Sequence, residues 1–324
     1  MTDTTYHYEI SYGKASVPIY RVYAQPLRHL KTIPESSFSG RENTLFALEV
    51  DVEVFGDNFL PAYTIGDNSN VVATDSMKNF VLRQALAFKG ATIETFLKHL
   101  GHEFLNTYPQ MESLRLTGRE LAFGEVSVPA PSASNVDMST FSVSPVLFSR
   151  SHNDFAVASL DFARINQQPT ITAHRCSRVN LQLLKVTGSS FTKFIQDSYT
   201  TLPERVDRPL YIYMDVGWRY QNPTDLLDLT RDNYVASEQI RDVIQVVFHE
   251  FVSESIQHLF HEMGKRLLLR FPQLAEISFE GQNRTRDPMA VSEDNPRLKV
   301  YSDPFSAYGL IKLKMSRAES SREV

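Results

Sequence analysis

An α+β fold built from two copies of one module, each an antiparallel sheet with two helices on one face, follows from three features of the 324-residue sequence. The first is an internal repeat. Val72-Ala-Thr-Asp-Ser-Met-Lys-Asn-Phe-Val81 resembles Val235-Ala-Ser-Glu-Gln-Ile-Arg-Asp-Val-Ile244 at an offset of 163 (235 − 72), and Ile93, Gly101, Pro109 and Gln110 meet Ile256, Gly264, Pro272 and Gln273 in the same register. An offset this long is a duplicated domain, not a solenoid unit. The second feature is a pair of β-rich runs with partial alternation, Leu45–Phe55 and Leu210–Trp218, the pattern of strands with one buried face. The third is a pair of helical-period apolar runs in each copy, the second stopped in both by an aromatic-Pro dipeptide.

In chain order, Val17–Tyr23 reads as a strand before Leu45–Phe55. Met77, Phe80, Val81 and Ala85 then recur at helical spacing, as do Ile93, Phe96, Leu97, Leu100, Phe104 and Leu105. Tyr108-Pro109 ends that helix and a closing strand follows at Ser113–Leu116. The Ser- and Pro-rich stretch Val126–Pro145 reads as the weak join, giving modules at 1–140 and 141–324. Phe155–Phe162 opens the second copy, with further strands near Leu181–Val186 and at Glu276–Phe279, and Phe271-Pro272 ends its second helix. The ends, before about Tyr8 and over Ser316–Val324, read as frayed. The open sheet edges of two such copies can join and then close through other subunits, which predicts a ring-like homo-oligomer.

Composition excludes several functions. Lys plus Arg number 33 against 38 Asp plus Glu, a net −5 with no long basic block, so nucleic acid is not an expected partner. Cys176 is the only cysteine, which rules out an intrachain disulfide and fits a reducing compartment. Neither a membrane-length apolar run nor a signal peptide is legible, so a cytoplasmic location is expected. No Gly-rich nucleotide loop, nucleophile elbow or HExxH occurs. His99/His102 and His258/His261 have ligand-like spacing, but the repeat sets the second pair opposite Thr95 and Lys98, polar positions that a solvated face explains; no metal site is expected.

More informative is Asp67–Asn79, which delivers Thr74 and Asp75 to a helix start, where free N–H groups favour a polar or anionic ligand and where N-capping is the plainer role. Ser255-Ile-Gln257 opens the second helix of copy two, and there Gln257 replaces Glu94 of copy one. An amide pairs with a heterocyclic edge that a carboxylate repels.

Tyr12-Gly-Lys14, Val72–Asn79, Phe194-Ile-Gln-Asp-Ser-Tyr-Thr-Thr-Leu-Pro203 with Asp207-Arg208, and Ser255-Ile-Gln257 with Gln282-Asn283 resemble the urate oxidase family, most closely its Bacillus-type members, over about Tyr12 to Tyr308. The resemblance implies a tandem tunnelling fold, two T-fold modules closing into an oligomeric barrel. It further implies a homotetramer with sites shared between subunits, and oxidation of urate by dioxygen without metal or organic cofactor. Lys14 and Thr74 would form the proton-handling dyad, with Asp75 giving a backbone contact to the purine. Phe191 would stack on the ring, Arg208 and Gln257 would grip its edge, Leu202 and Ile256 would line the pocket, and Asn283 would hold dioxygen or water above it.

These roles suit the residue types. Arg208 offers a planar fork of donors to an anionic ring, Phe191 an aromatic face, and Lys14 a base provided burial lowers its pKa. Family members place a His one or two residues after the pocket Asn. Arg284 and Thr285 stand there instead, so Thr285 or a water would have to serve the relay, while Arg284 is either a solvated substitution or added charge near the oxygen pocket. Two other readings stay open: a T-fold enzyme acting on another purine or pterin, and a purine-binding protein that has lost catalysis.

Overall fold

The computed structural model describes residues 6–131, 136–151, 153–227, 233–284, 286, 288–302 and 306–318. Of the ends read as frayed, residues 1–5 and 319–324 lie outside these, whereas Ser316 pairs with Glu276 in the sheet and the Arg317 N–H bonds to the Ala275 carbonyl at 3.0 Å, so the tail is still held there. β1 (Ser11–Val22) and β2 (Leu45–Phe55) form the first hairpin, and in β2 Phe46, Leu48, Val50, Val52 and Val54 all face the core, as the alternation requires. A 3₁₀ turn (Asp57–Phe59) and the short α1 (Leu60–Thr64) lead to α2 (Thr74–Ala87) and α3 (Ile93–Thr107). Thr92 caps α3 in a reciprocal box with Thr95, and the helix stops at Tyr108 before Pro109. β3 (Ser113–Glu120) follows.

The described parts of the Ser- and Pro-rich stretch expected to be a weak join belong to a long two-stranded ribbon, β4 (Phe123–Pro131) with β5 (Val136–Arg150). Phe141, Val143, Val146 and Leu147 on it are exposed, so these apolar side chains do not mark a core-facing strand in the sequence. Next come β6 (Phe155–Ile165), β7 (Gln168–Lys185), β8 (Leu210–Tyr220), α4 (Ser237–Glu250), α5 (Ile256–Arg270) and β9 (Leu274–Asn283). The small pair β10 (Pro288–Val291) and β11 (Lys299–Tyr301) precedes β12 (Gly309–Ser316).

One antiparallel sheet runs β1-β2-β3-β6-β7-β8-β9-β12, and one apolar core joins it to α2 through α5 on a single face. The strand at Phe155–Phe162, expected to open the second copy, pairs with β3 and β7 and so lies mid-sheet. Packing makes it the counterpart of β12. A Cβ on Gly101 of α3 would meet Phe162 of β6 at 2.4 Å, and a Cβ on Gly264 of α5, 163 residues on, would meet Met315 of β12 at 2.5 Å. Both glycines let a helix lie close on a strand.

The duplication is legible in backbone detail. Helices α4 and α5 begin 163 residues after α2 and α3 (237 − 74 and 256 − 93). From β1 and β2 to β7 and β8 the offset is 164. β1 bulges between Lys14 and Val17, where Ser16 (φ 54°) donates its N–H to Asp51 Oδ1 at 2.8 Å. β7 bulges between Arg178 and Leu181, where Asn180 (φ 59°) donates to Asp215 Oδ1 at 2.8 Å.

Candidate active site

The expected site residues lie at opposite ends of the sheet. At the β1 edge, Gly13 lets the strand approach β2, since a Cβ there would sit 1.8 Å from the Val52 carbonyl oxygen; Lys14 follows it into the bulge. Tyr12 accepts the Val72 N–H through its hydroxyl at 3.2 Å and so ties β1 to the segment that enters α2. Thr74 opens α2, and no side chain caps that terminus, so the capping role open to Thr74 and Asp75 is not the one they take. Asp75 is exposed. A hydrogen bond from Lys78 holds its carboxyl below the ordinary range, with the Lys14 charge adding to the effect. Lys14, Thr74 and Asp75 therefore share one open surface.

At the other end, the loop between β7 and β8 is pinned by Asp207, which accepts from Thr187 Oγ1 and the Gly188 N–H at 2.7 Å each. Phe191 and Arg205 exchange backbone hydrogen bonds, and Arg208 N–H bonds to the Ser189 carbonyl at 2.8 Å. The Arg208 guanidinium lies 5.2 Å from the Phe191 ring centroid, while Phe194 stacks on that ring at 4.9 Å. Burial, then the neighbouring Arg205 charge, pushes Arg208 below its ordinary value. Leu202 and Arg208 line a small cavity of about 40 Å³. Ile256 is buried at the start of α5, with Gln257 exposed beside it.

Among the polar atoms buried here without a hydrogen-bond partner are Arg208 Nε and Asn283 Oδ1. Such orphans cost about 1–3 kcal/mol each unless a ligand satisfies them. Arg284 turns the other way. Its guanidinium donates to Gln282 Oε1 at 2.6 and 3.1 Å and stacks over Tyr308 (4.2 Å) and Tyr213 (5.2 Å), on the sheet face away from the helices. Thr285 lies outside the described residues. The half-buried His99 bonds to Gln84 at 2.9 Å, His258 and His261 are exposed, and among the described residues no three His, Cys, Asp or Glu side chains converge as a metal site.

Six strand intervals separate β1 from β9, roughly 29 Å across the sheet at the usual strand spacing. One chain therefore keeps Lys14 and Thr74 apart from Asn283. Mid-sheet, however, their duplicated counterparts meet. Arg178 (14 + 164), Ser237 (74 + 163) and Glu120 (283 − 163) converge, with Arg178 Nη1 donating to Ser237 Oγ and to Glu120 Oε2 at 3.2 Å each. Ladder register confirms the equivalence, since Arg178 pairs with Val216 as Lys14 pairs with Val52, and Glu120 pairs with Leu48 as Asn283 pairs with Ile212. Leu27 and Arg41 exchange backbone hydrogen bonds as Phe191 and Arg205 do. The cavity there, about 470 Å³, is lined by Arg41, Ile93, Glu120, Arg178 and Glu238 among others.

This internal pocket went unread in the sequence. A gapless 163-residue frame pairs Lys14 with Ser177; the signal was the single residue by which the offset of the opening hairpin differs from that of the helices.

The uricase family model matches residues 45–145 and 174–312. A uricase of Haloferax volcanii is 44% identical over 96% of this chain and 99% of its own length. The bifunctional uric acid degradation protein PucL of Bacillus subtilis is 42% identical over 97% of this chain, which spans 62% of that longer protein. The crystal structure of urate oxidase from Bacillus sp. TB-90 without chloride superposes with a TM-score of 0.89 at 41% identity, covering 95% of this chain and all of that one. With three-quarters of its length in the family model and relatives this similar over nearly the whole chain, the protein belongs to the uricase family.

Proposed function

We propose that the chain is a cofactor-independent urate oxidase converting urate, dioxygen and water to 5-hydroxyisourate and hydrogen peroxide, and that it acts as a homotetramer. Each site combines Lys14, Thr74 and Asp75 of one chain with Phe191, Leu202, Arg208, Ile256, Gln257 and Asn283 of another. The observation that carries this reading is the internal pocket, where Arg178, Ser237 and Glu120 already meet within hydrogen-bonding distance. The same docking repeated between chains brings Lys14, Thr74 and Asn283 together.

Surface asymmetry supports it. The first turn of α4, Ser237 to Gln239, is buried under the chain's own loop between β1 and β2, whereas Thr74, Asp75 and Ser76 of α2 are exposed. The loop between β7 and β8 is correspondingly uncovered, with Val186, Ile195, Tyr199 and Val206 exposed.

In the assembled site the urate anion lies against Phe191, its edge held by Arg208 and Gln257. Lys14, acting through the Thr74 hydroxyl, removes a further proton, and the electron-rich dianion passes two electrons to dioxygen beside Asn283. Water adds at C5 of the oxidised ring, giving 5-hydroxyisourate, and the reduced oxygen leaves as peroxide. The ββααββ order of each half fits two T-fold modules that join into a barrel. We set their boundary at the turn Asn166–Gln167 between β6 and β7, not at residue 140, which falls within β5. No helix among the described residues is long and apolar enough to cross a membrane, and Cys176 is buried and unpaired, which suits the cytoplasm.

The test is a turnover assay on exhaustively chelated protein that follows urate, oxygen and peroxide together. The expected result is equimolar loss of urate and oxygen with equimolar peroxide. No urate loss, or loss of activity restored by added metal, would overturn the proposal.

A further inference from the structure

The internal pocket also names a contact beside the proposed shared site. Its centre is an ion pair between Arg41, in the loop between β1 and β2, and Glu238, in the first turn of α4. Burial alone would push Glu238 up, but the Arg41 and Arg178 charges hold it below the ordinary carboxylate range. Arg41 also reaches Glu120 at 3.0 Å, and Ser237 Oγ donates to Glu238 at 3.2 Å. Further contacts hold the same loop down: Ser36 Oγ donates to Asp242 at 2.6 Å, and Gln239 Nε2 to the Lys31 carbonyl at 2.8 Å.

The duplication maps each partner onto a residue at the chain's open ends. Arg41 becomes Arg205 (41 + 164), which shares its backbone bridge with Phe191 as Arg41 does with Leu27. Glu238 becomes Asp75 (238 − 163), second residue of α2 as Glu238 is of α4. The charge signs are kept on both sides. Lys14 already acts on Asp75 within the chain, as its counterpart Arg178 acts on Glu238.

We infer that Arg205 of one chain pairs with Asp75 of a second copy of the chain, a positioning pair that seats the Phe191–Arg208 loop on the first turn of the neighbour's α2 and leaves Asp75 between Arg205 and Lys14. It rests on the shared-site reading above. Neither side chain need touch urate: the pair fixes how far the Arg208 end stands from Thr74.

Charge exchange tests it. Asp75→Arg and Arg205→Glu chains, each alone, face a like charge across the interface, and kcat/KM for urate should fall about tenfold or more, as for close interfacial charge pairs. The double variant should recover to within about threefold of the parent. Mixing the two single variants under exchange should recover activity too, because every interface between unlike chains then holds one opposite-charge pair in each direction.

A pair that acts within one chain would be rescued in the double variant but never by mixing, and that outcome overturns the inference. So does failure of both rescues. If both fail while Thr74→Ala and Arg208→Ala chains still complement each other, the shared site stands and only this pair falls; if that complementation fails as well, both readings fall.

Discussion

Arg178 and Ser237 are hydrogen-bonded at 3.2 Å in the middle of the sheet, and they occupy the duplicated positions of Lys14 and Thr74. The same strand bulge and the same helix start thus carry a buried ionic joint in one copy and a half-buried lysine beside an exposed hydroxyl in the other. Divergence of a few side chains separates the two uses. Glu120 stands for Asn283, Glu94 for Gln257 and Leu27 for Phe191, so the internal pocket has lost both the aromatic face and the anion-tolerant amides.

Removing Arg178 should be costly. Its side chain is 6% exposed, and it pairs with Asp154 and Glu120 at 12% and 16% exposure, so Arg178→Met leaves Asp154 buried without its cation and Glu120 with Arg41 alone. A loss of about 3–5 kcal/mol in denaturant unfolding is expected. Arg28→Ala, which breaks the exposed Arg28–Glu42 pair, should cost at most about 1 kcal/mol. Equal midpoints for the two variants would contradict the ionic joint.

Glu94 predicts a pH dependence of opposite sign to that of Glu238. Burial raises the Glu94 carboxyl above its ordinary 4.5, against hydrogen bonds from its own N–H, Tyr234, Thr92 and Cys176. Below 4.5 both folded and unfolded chains keep that proton. As pH rises the unfolded chain ionises first, and stability falls until the folded carboxyl ionises as well. Glu238, held low, contributes stability above 4.5 that is lost as pH falls through its folded value. Glu94→Gln should therefore flatten the decline in Tm as pH rises above 4.5. An unchanged slope by scanning calorimetry would refute it.

Arg208→Ala should chiefly weaken binding of a urate analogue, by about 2–5 kcal/mol, because a desolvated anion loses charge-assisted donors. Gln257→Ala should act in the same direction but less. Titration calorimetry showing native affinity in Arg208→Ala would remove it from the purine edge.

Lys14→Met and Thr74→Ala should leave fold and analogue affinity close to native and slow single-turnover oxidation by about 10²–10⁴. Native rates in either variant, read by stopped-flow absorbance, would dissolve the dyad.

What the sequence made legible depended on how local the cause was. β2 keeps its expected bounds because its alternation is unbroken from Leu45 to Phe55, and α3 and α5 end where an aromatic-Pro dipeptide forces it. β7 extends thirteen residues upstream of Leu181, because its first half is rich in polar side chains and shows little apolar rhythm. The partner of β6 is a long-range matter: the alternation of Phe155–Ile165 fixes a strand but not that it closes the first half beside β3. The residues proposed as pincer and dyad are ordinary Arg, Gln, Lys and Thr in isolation, and only resemblance singled them out. The orphaned polar atoms of Arg208 and Asn283 needed coordinates to be seen.

The most direct measurement is complementation between two inactive variants. Thr74→Ala chains and Arg208→Ala chains, mixed under conditions that permit subunit exchange and verified as hybrids by native mass, should regain urate oxidation, since some interfaces receive Thr74 from one parent and Arg208 from the other. Hybrids that stay inactive at every mixing ratio would place the whole site within one chain and contradict the account.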